Sequence, residues 1–307
     1  MNTVKVALVQ APSVMGDVSH NCLVFSGLVR QAVASGAKII VLPEMCITGY
    51  LSPSLSHIWH REGRPLSVSP ATKVKFQGIS PAEIAETVPG PSTDLFCSLA
   101  RELGVYITVP LCEKVSVQEG GCENGFLVNR GNFDYFNTIA FVSPRGAIVG
   151  HYRKLNLWPF VDHSWQTAGR DIVIVDTEYG RIGLAVCFDI HKVLPLYATR
   201  HPWAILHCVA WVDNDADSWW SIDLPSKVRA EAGGAYLLSA NWSVNDSKTE
   251  GAAWYGYGHS SVYSPEGDRL ATARSREGAE VVMCDIPVAV ANRTLLVNSS
   301  TEETKIS

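Results

Sequence analysis

Apolar residues occur along this chain in short continuous runs, and polar residues separate the runs. Several runs are β-branched and apolar throughout, which is typical of strands that are buried on both faces. Other apolar residues recur at helical spacing, and one such segment ends before Gly36. The pattern predicts helices over 19–35, 92–103 and 217–233. It predicts strands over 4–10, 38–44, 105–113, 137–144, 172–177, 181–189, 204–211, 235–241, 260–265 and 279–286.

Two turn sequences, SPRG at 143–146 and SPEG at 264–267, interrupt this alternation and are typical of β-hairpins. The pattern therefore predicts an α/β fold of two mixed sheets with helices packed outside them. Residues 52–90 are rich in Ser, Pro and His and show little periodicity, which predicts a long functional loop. We expect one domain over 1–290 and a polar C-terminal tail over 291–307 at a subunit interface.

The chain has 307 residues, of which 47% are hydrophobic and 18% charged, so it has ample material for a core. Its net charge of −5 does not favour nucleic acid as a partner. No apolar run approaches the roughly 20 residues that a membrane span needs. A strand-like run begins at residue 4 with no leader before it, so we expect a cytoplasmic protein without a membrane partner. Its eight cysteines are scattered without a C-x-x-C pair, which does not favour a zinc site or disulfide framework.

Three polar residues end otherwise apolar segments. Glu44 closes KIIVLPE, Lys154 lies in GHYRKLNLW just after a hairpin strand, and Cys187 closes GLAVC. Each residue alone has an ordinary interpretation, because free cysteine is commonly buried for packing and Lys or Glu commonly lies on the surface. Together they compose a nucleophile, a base and a stabiliser of negative charge.

A thiol with its usual pKa of about 8.5 is only a few per cent thiolate at neutral pH, so a carboxylate is needed to take its proton. A nearby ammonium would favour the thiolate and then bind the oxyanion of a tetrahedral intermediate. The backbone N–H of Phe188, directly after the cysteine, is a natural second donor. This combination suits attack on an amide or nitrile carbon and passage through an acyl-thioester.

The segments around these three residues resemble the three motifs of the nitrilase, or carbon–nitrogen hydrolase, superfamily. The segments are LPEMCITGY, HYRKLNLW and GLAVCFDI. Further segments of the family resemble VALVQAP, VPGPST and LARELGVYITVPLCEK in this chain. The resemblance therefore covers nearly the whole chain. It implies Glu44 as base, Lys154 as oxyanion stabiliser and Cys187 as nucleophile. It also implies an αββα sandwich that forms a homodimer or higher homo-oligomer, with a small-molecule substrate and with no metal or organic cofactor.

The resemblance also implies a second glutamate shortly after the lysine motif, and this chain has none there. Asp162, eight residues after Lys154, is the candidate for that role. Because aspartate is one methylene shorter, the backbone would have to come closer, or a water would have to fill the gap. The alternative is that Asp162 is an ordinary loop acid and the role is absent.

One branch of the family, that of biotinidase and pantetheinase, hydrolyses secondary amides of vitamin-like substrates. Its sequences are similar to this chain in the strings CFDI, AWVD and LLSANWS. The C-W-E string of true nitrilases is missing, which disfavours a nitrile substrate. The segments that line the substrate pocket in the family supply five candidate residues here. They are Tyr50, Trp158, His191, Trp211 and Asp213, and for each aromatic residue simple packing is the alternative.

The acidic run at 213–217 lacks the glycine and the terminal glutamate of a calcium loop, so we expect no metal there. The leading hypothesis is thus a thiol hydrolase of a non-peptide C–N bond, in an amide or a carbamoyl group. Three alternatives remain open at this point: an acyltransferase that passes the same thioester to an amine, a nitrile hydrolase, and a non-catalytic scaffold on the same fold.

Overall fold

The computed structural model describes residues 2–50, 80–117, 133–159, 162–211, 222–243 and 257–288. Three of the sequence predictions fall on residues outside this description: the pocket candidate Asp213, the tail after residue 290 and most of the loop over 52–90. The described end of that loop contains a short helix, Pro81–Ile84, which the sequence pattern did not predict.

The strands in the described part of the chain are β1 Thr3–Gln10, β2 Ile39–Val41, β3 Tyr106–Ser116, β4 Phe133–Val142, β5 Ile148–Arg153, β6 Ile174–Thr177, β7 Gly180–Val186, β8 Ala204–Val209, β9 Tyr236–Asn241, β10 Ser261–Tyr263, β11 Arg269–Thr272 and β12 Glu280–Pro287. These strands form two six-stranded sheets, ordered β12-β1-β2-β3-β4-β5 and β11-β10-β9-β8-β7-β6. In each sheet three neighbouring strands run parallel, β1 to β3 in one and β7 to β9 in the other, and the remaining pairs are antiparallel.

The helices are α1 Val18–Ala34, α2 Pro81–Ile84, α3 Pro91–Leu103, α4 Leu194–Ala198 and α5 Leu224–Glu231. The Asp17 side chain caps the start of α1 by accepting from the His20 N–H at 3.0 Å. Gly104, at φ 65°, ends α3 in the left-handed conformation that glycine adopts without strain. The predicted helix over 217–233 is confirmed only over Leu224–Glu231, where Leu224 and Val228 are the buried positions. Residues 212–221 lie outside the described part of the chain.

Three apolar layers hold these elements together. The inner faces of both sheets pack on each other, with Leu8 and Val41 from one sheet and Leu184 and Leu206 from the other. A second cluster joins the outer face of the first sheet to α1 and α3, and a third joins the outer face of the second sheet to α4 and α5. The prediction of two mixed sheets with helices on their outer faces is therefore confirmed. Burial on both faces explains why the central strands, such as β2 and β8, are continuously apolar.

The strand ends bring distant segments together at one edge of this sandwich. Glu44 follows β2, Lys154 follows β5, and Cys187 follows β7. The predicted strand over 38–44 ends early, at Val41, and Glu44 begins the turn that follows it. Among the described residues, no helix combines the length and the apolar character needed to cross a membrane.

Candidate active site

Lys154 lies at the centre of a buried group of charges. Its Nζ atom is 2.9 Å from Glu44 Oε1 and 2.6 Å from Asp162 Oδ2, and the exposed fractions of the three side chains are 1%, 0% and 0%. A buried ammonium needs such partners, because an isolated charge in the interior is strongly unfavourable. The structure thus brings three of the sequence-predicted site residues into direct contact.

Glu44 is held by its backbone as well as by its carboxylate. The Trp242 indole N–H donates to the Glu44 carbonyl at 2.7 Å, and the Glu44 N–H donates to the Val209 carbonyl at 3.3 Å. Both partners belong to the second sheet or follow it directly, so Glu44 is tied across the sandwich. On the carboxylate, Oε1 accepts from Lys154 and from Asn137 Nδ2 at 2.7 Å. Among the described residues, the buried Oε2 atom has no hydrogen-bond partner, so it is available to accept a proton.

Asp162 is surrounded by donors other than Lys154. Its Oδ1 accepts from the Tyr50 hydroxyl at 2.5 Å and from Gln166 Nε2 at 2.8 Å, and its Oδ2 also accepts from the Trp158 backbone N–H at 2.8 Å. These hydrogen bonds fix the position of the Asp162 carboxylate, which forms the ion pair with Lys154. The contact of 2.6 Å between Asp162 and Lys154 is direct, so no bridging water is needed.

Cys187 opens a turn of 3₁₀-helix over Cys187–His191, directly after β7. Its φ is +43°, a conformation that costs a non-glycine residue free energy and persists only where the surroundings enforce it. The buried Asp189 supplies one such constraint, because its Oδ2 accepts from the Val186 N–H at 3.0 Å. The result is a sharp bend that turns the thiol out of the strand.

Asp189 also connects this bend to the segment that carries Lys154. Its Oδ1 accepts from the N–H groups of Leu155 and Asn156 at 3.1 and 2.6 Å, and its Oδ2 accepts from the Tyr152 hydroxyl at 2.6 Å. One carboxylate therefore fixes the nucleophile segment against the lysine segment. This is a bracing role through the backbone, and burial raises the pKa of Asp189 to about 6.

The electrostatics of the site keep the thiol protonated at rest. Burial, followed by the negative charge of Glu44, raises the pKa of Cys187 well above its ordinary value, while Lys154 and the Ala210 N–H act in the opposite direction. Burial also raises the pKa of Glu44, although the Lys154 ammonium opposes the shift. Burial would by itself lower the pKa of Lys154, but the carboxylates of Asp162 and Glu44 raise it, so Lys154 stays charged.

The residues predicted to line the substrate pocket divide into two groups. Tyr50 and Trp158 support Asp162, and the hydroxyl of the buried Tyr50 is already used in that contact. The other two described pocket candidates, His191 and Trp211, form a partly buried aromatic group beside the bend together with the side chain of Phe188, the predicted oxyanion donor. The ring centroids of Phe188 and His191 are 4.7 Å apart, and those of His191 and Trp211 are 6.5 Å apart. This group is placed to form an apolar wall next to the thiol.

Sequence reasoning missed the side chains that hold the charged residues in place. Asn137 bonds Glu44, Gln166 bonds Asp162, and the indole of Trp242 bonds the backbone of Glu44. Glu44, Lys154 and Cys187 were located as charged or nucleophilic side chains at the ends of otherwise apolar segments. The three supporting side chains are neither charged nor nucleophilic, so the same criterion did not find them. Within the described part of the chain, no three His, Cys, Asp or Glu side chains are grouped in a way that could hold a metal ion.

The sequence of this chain is similar to a known protein family and to curated proteins. A family model described as carbon–nitrogen hydrolase matches residues 5–294. Omega-amidase NIT2 of Bos taurus is 27% identical over 296 residues, which cover 93% of this chain and 89% of that protein. The chloroplastic omega-amidase of Arabidopsis thaliana is 24% identical over 294 residues, which cover 92% of this chain and 68% of that protein.

Two solved structures share the fold. An amidase from Nesterenkonia sp. superposes with a TM-score of 0.68 at 19% identity, covering 92% of this chain and 90% of that one. Nit3 of Saccharomyces cerevisiae, a member of the nitrilase superfamily, superposes with a TM-score of 0.66 at 19% identity, covering 93% and 90%. In a variant of the Nesterenkonia amidase, the acetamide moiety of fluoroacetamide is attached covalently to the active-site cysteine.

Proposed function

The chain belongs to the carbon–nitrogen hydrolase family, and from this membership we propose that it hydrolyses the C–N bond of a small linear amide through a thioester on Cys187. One observation carries the proposal. The buried Lys154 ammonium lies 2.9 Å from Glu44 and 2.6 Å from Asp162, and these charges act on the thiol of Cys187 at the end of β7. A scaffold with no reaction to perform would have no use for this buried charge, which is costly to maintain.

In the first half-reaction, Glu44 takes the thiol proton on Oε2 and the sulfur attacks the amide carbon. Moving the proton from Cys187 to Glu44 leaves the total charge around Lys154 unchanged, so the ammonium continues to face one negative charge on each side. The carbonyl oxygen becomes an oxyanion, which accepts from Lys154 and from the Phe188 N–H. The C–N bond then breaks, and the nitrogen leaves as ammonia or amine after receiving the proton from Glu44.

In the second half-reaction, water attacks the thioester carbon while Glu44 takes a proton from that water. The C–S bond breaks, the acid product leaves, and the proton on Glu44 returns to the sulfur. Both halves use the same oxyanion donors and the same base, so one buried group serves acylation and deacylation.

The substrate that we propose is a small molecule with a terminal carboxamide. Support comes from the relatives named omega-amidases and from the apolar wall of Phe188, His191 and Trp211. We also keep as proposals a single domain over 1–290, a tail over 291–307 at a subunit interface, assembly as a homodimer or higher homo-oligomer, and a cytoplasmic location. These follow from the sequence pattern and from the family resemblance.

A panel of compounds tests the proposed function. The panel holds butyramide, terminal monoamides of dicarboxylic acids, carbamoyl compounds, pantetheine- and biotin-type secondary amides, and nitriles. We expect terminal amides to release ammonia and acid, with an acyl adduct on the intact protein detected by mass spectrometry. Release from secondary amides alone would contradict the substrate class, and turnover of no compound would contradict the hydrolase proposal. Added hydroxylamine reveals acyl transfer if hydroxamate replaces the acid.

Asp162→Ala is expected to lower kcat by roughly 10²-fold, because loss of the contact at 2.6 Å lets the Lys154 ammonium move, and a displacement of about 1 Å can have that effect. Asp162→Glu supplies a longer carboxylate and should recover part of the rate. Asp171→Ala changes an acid that lies in the same stretch of chain but not in the buried group, and it serves as the control. Steady-state kinetics decide the matter: an unchanged kcat in Asp162→Ala would remove Asp162 from the mechanism.

A further inference from the structure

We propose that His207 is a positioning residue that aims the Phe188 N–H at the oxyanion by holding the opposite end of the same peptide group. The inference deepens the proposed function and rests on it. His207 lies in the middle of β8 and makes no hydrogen bond to Glu44, Lys154 or Asp162, and the sequence pattern predicted no role for it. Its ring joins the nucleophile bend to a neighbouring strand.

The register of three parallel strands places His207 in this position. It pairs with Ala185 of β7 on one side and with Ser239 of β9 on the other. The ring Nε2 is 3.0 Å from the Cys187 carbonyl oxygen, and Nδ1 is 2.8 Å from Ser239 Oγ. The side chains of His207 and Ser239 are buried, so these contacts are not exchanged for water.

The chemistry of the two partners determines which nitrogen carries the proton. A carbonyl oxygen can only accept, so His207 Nε2 donates to Cys187 and must carry the hydrogen. In a neutral ring Nδ1 then accepts, and the Ser239 hydroxyl donates to it. Burial lowers the pKa of His207 to about 4, which keeps the ring neutral at ordinary pH. The Cys187 carbonyl thus selects the tautomer, and the Ser239 hydroxyl supports it by donating to Nδ1.

The carbonyl of Cys187 and the N–H of Phe188 belong to one planar peptide group. In a trans peptide these two bonds point in opposite directions, so fixing one fixes the other. His207 shares its face of β8 with Ile205 and Val209, which pack under the outer helices. The carbonyl therefore points towards the outer layer, and the N–H points towards the space between the sheets, where Lys154 and Glu44 lie.

A fixed peptide is valuable here because the backbone at Cys187 is strained, with φ at +43°. The next carbonyl, that of Phe188, accepts from Asn156 Nδ2 at 2.8 Å, so the peptide groups on both sides of Phe188 are held. Without His207, the first of these groups would be free to rotate, and the N–H would no longer be preorganised for the oxyanion.

Two reagents that react with the same thiol test the proposal. p-Nitrophenyl acetate acylates Cys187 through a tetrahedral oxyanion, whereas methyl methanethiosulfonate forms a disulfide at sulfur and releases methanesulfinate without one. In His207→Leu we expect acylation to slow by roughly 10²-fold, the usual loss for one oxyanion donor. Disulfide formation should stay within about twofold of the wild-type rate, as expected when nucleophilicity is preserved. His207→Gln, whose amide can donate to the carbonyl, should recover part of the acylation rate.

Tyr197→Phe is the matched control, because the hydroxyl of this buried side chain also bonds the backbone of β7, at Leu184, but not the bend itself. It should lose stability and leave the ratio of the two rates unchanged. If His207→Leu does not fold, Ser239→Ala is the second test, because it removes the hydroxyl that orients the His207 ring at Nδ1. It should lower acylation severalfold with disulfide formation unchanged.

An equal fall of both rates in His207→Leu, or no fall in acylation, would overturn the role of His207. A wild-type protein that hydrolyses no amide of the panel would instead overturn the proposed function. In that case the ratio of the two Cys187 rates would still report on His207, so the two failures are distinguishable.

Discussion

Cys187→Ala is expected to abolish turnover of every amide while the protein remains folded. The proposed reaction passes through a bond to the Cys187 sulfur, and alanine offers no atom that can form it. Removing the nucleophile of a comparable acyl-transfer enzyme lowers kcat by a factor on the order of 10⁶. We therefore expect a loss of at least roughly 10⁴-fold, measured as ammonia release from the best amide of the panel.

The fold should survive this change because the constraints on the bend do not involve the sulfur. Asp189 holds the Val186 N–H, and His207 holds the Cys187 carbonyl, and both contacts are made to the backbone. Alanine replaces a small, partly buried side chain with one that is slightly smaller, so the cavity term should be small. The thermal midpoint of the variant should lie within a few degrees of the wild-type value.

Cys97→Ser is the control for Cys187→Ala, since Cys97 is also a partly buried free cysteine but lies in α3, on the opposite side of the first sheet. It should keep the wild-type rate and the acyl adduct. Residual turnover in Cys187→Ala above about one thousandth of the wild-type rate would show that another group attacks the amide, and the thioester mechanism would then be wrong.

Glu44→Gln is expected to lower kcat/KM by roughly 10² to 10⁴, the usual contribution of a general base. Glutamine is well suited to test the base alone. The Oε1 atom of Glu44 accepts from Lys154 and Asn137, and an amide oxygen can accept from both donors in the same place. The change then falls on the buried Oε2, which has no hydrogen-bond partner in the described part of the chain, and an N–H₂ group in its place cannot take a proton.

The pH profile gives the Glu44 prediction a second readout. Glu44 acts as a base only when it is ionised, and burial raises its pKa above the ordinary value of 4.5. Wild-type activity should therefore fall with acidification at a pH above 4.5, as the carboxylate takes up a proton. Glu44→Gln has no such group, so its residual rate should lose this acid limb.

Glu86→Gln is the control, because Glu86 is a carboxylate that bonds Ser92 at the start of α3, away from the charged group. It should keep both the rate and the acid limb. A Glu44→Gln variant that is as active as the wild type, with the same acid limb, would remove Glu44 from the mechanism.

Much of the site could be predicted from the sequence because its main residues share a local signature. Glu44 and Cys187 follow apolar runs and Lys154 follows a hairpin strand, and such segments are visible in the sequence without knowledge of their partners. Phe188 follows as the next residue after the nucleophile. Asp162 was found only through the resemblance to a family, as the nearest acid in the place of a missing glutamate.

The supporting side chains could not be predicted, because their partners are distant in sequence. Asn137 meets Glu44 across 93 positions, and Trp242 meets the same residue across 198. The hydrophobic periodicity around Asn137 and around Trp242 predicts a strand or the end of a strand, but it does not predict which residue the side chain contacts. Pairing at such a distance depends on which strands become neighbours, and short-range periodicity carries no information about that choice.

The sequence by itself determined the α/β class, the approximate strand order along the chain and the three residues that end its buried segments. Local periodicity and side-chain chemistry were sufficient for these. Only the tertiary structure decided that Lys154 lies between Glu44 and Asp162 and that the His207 ring contacts the Cys187 carbonyl. The physical reason is that a catalytic geometry is a set of contacts across the sandwich, and such contacts arise from strand register and packing rather than from the neighbours of each residue in the chain.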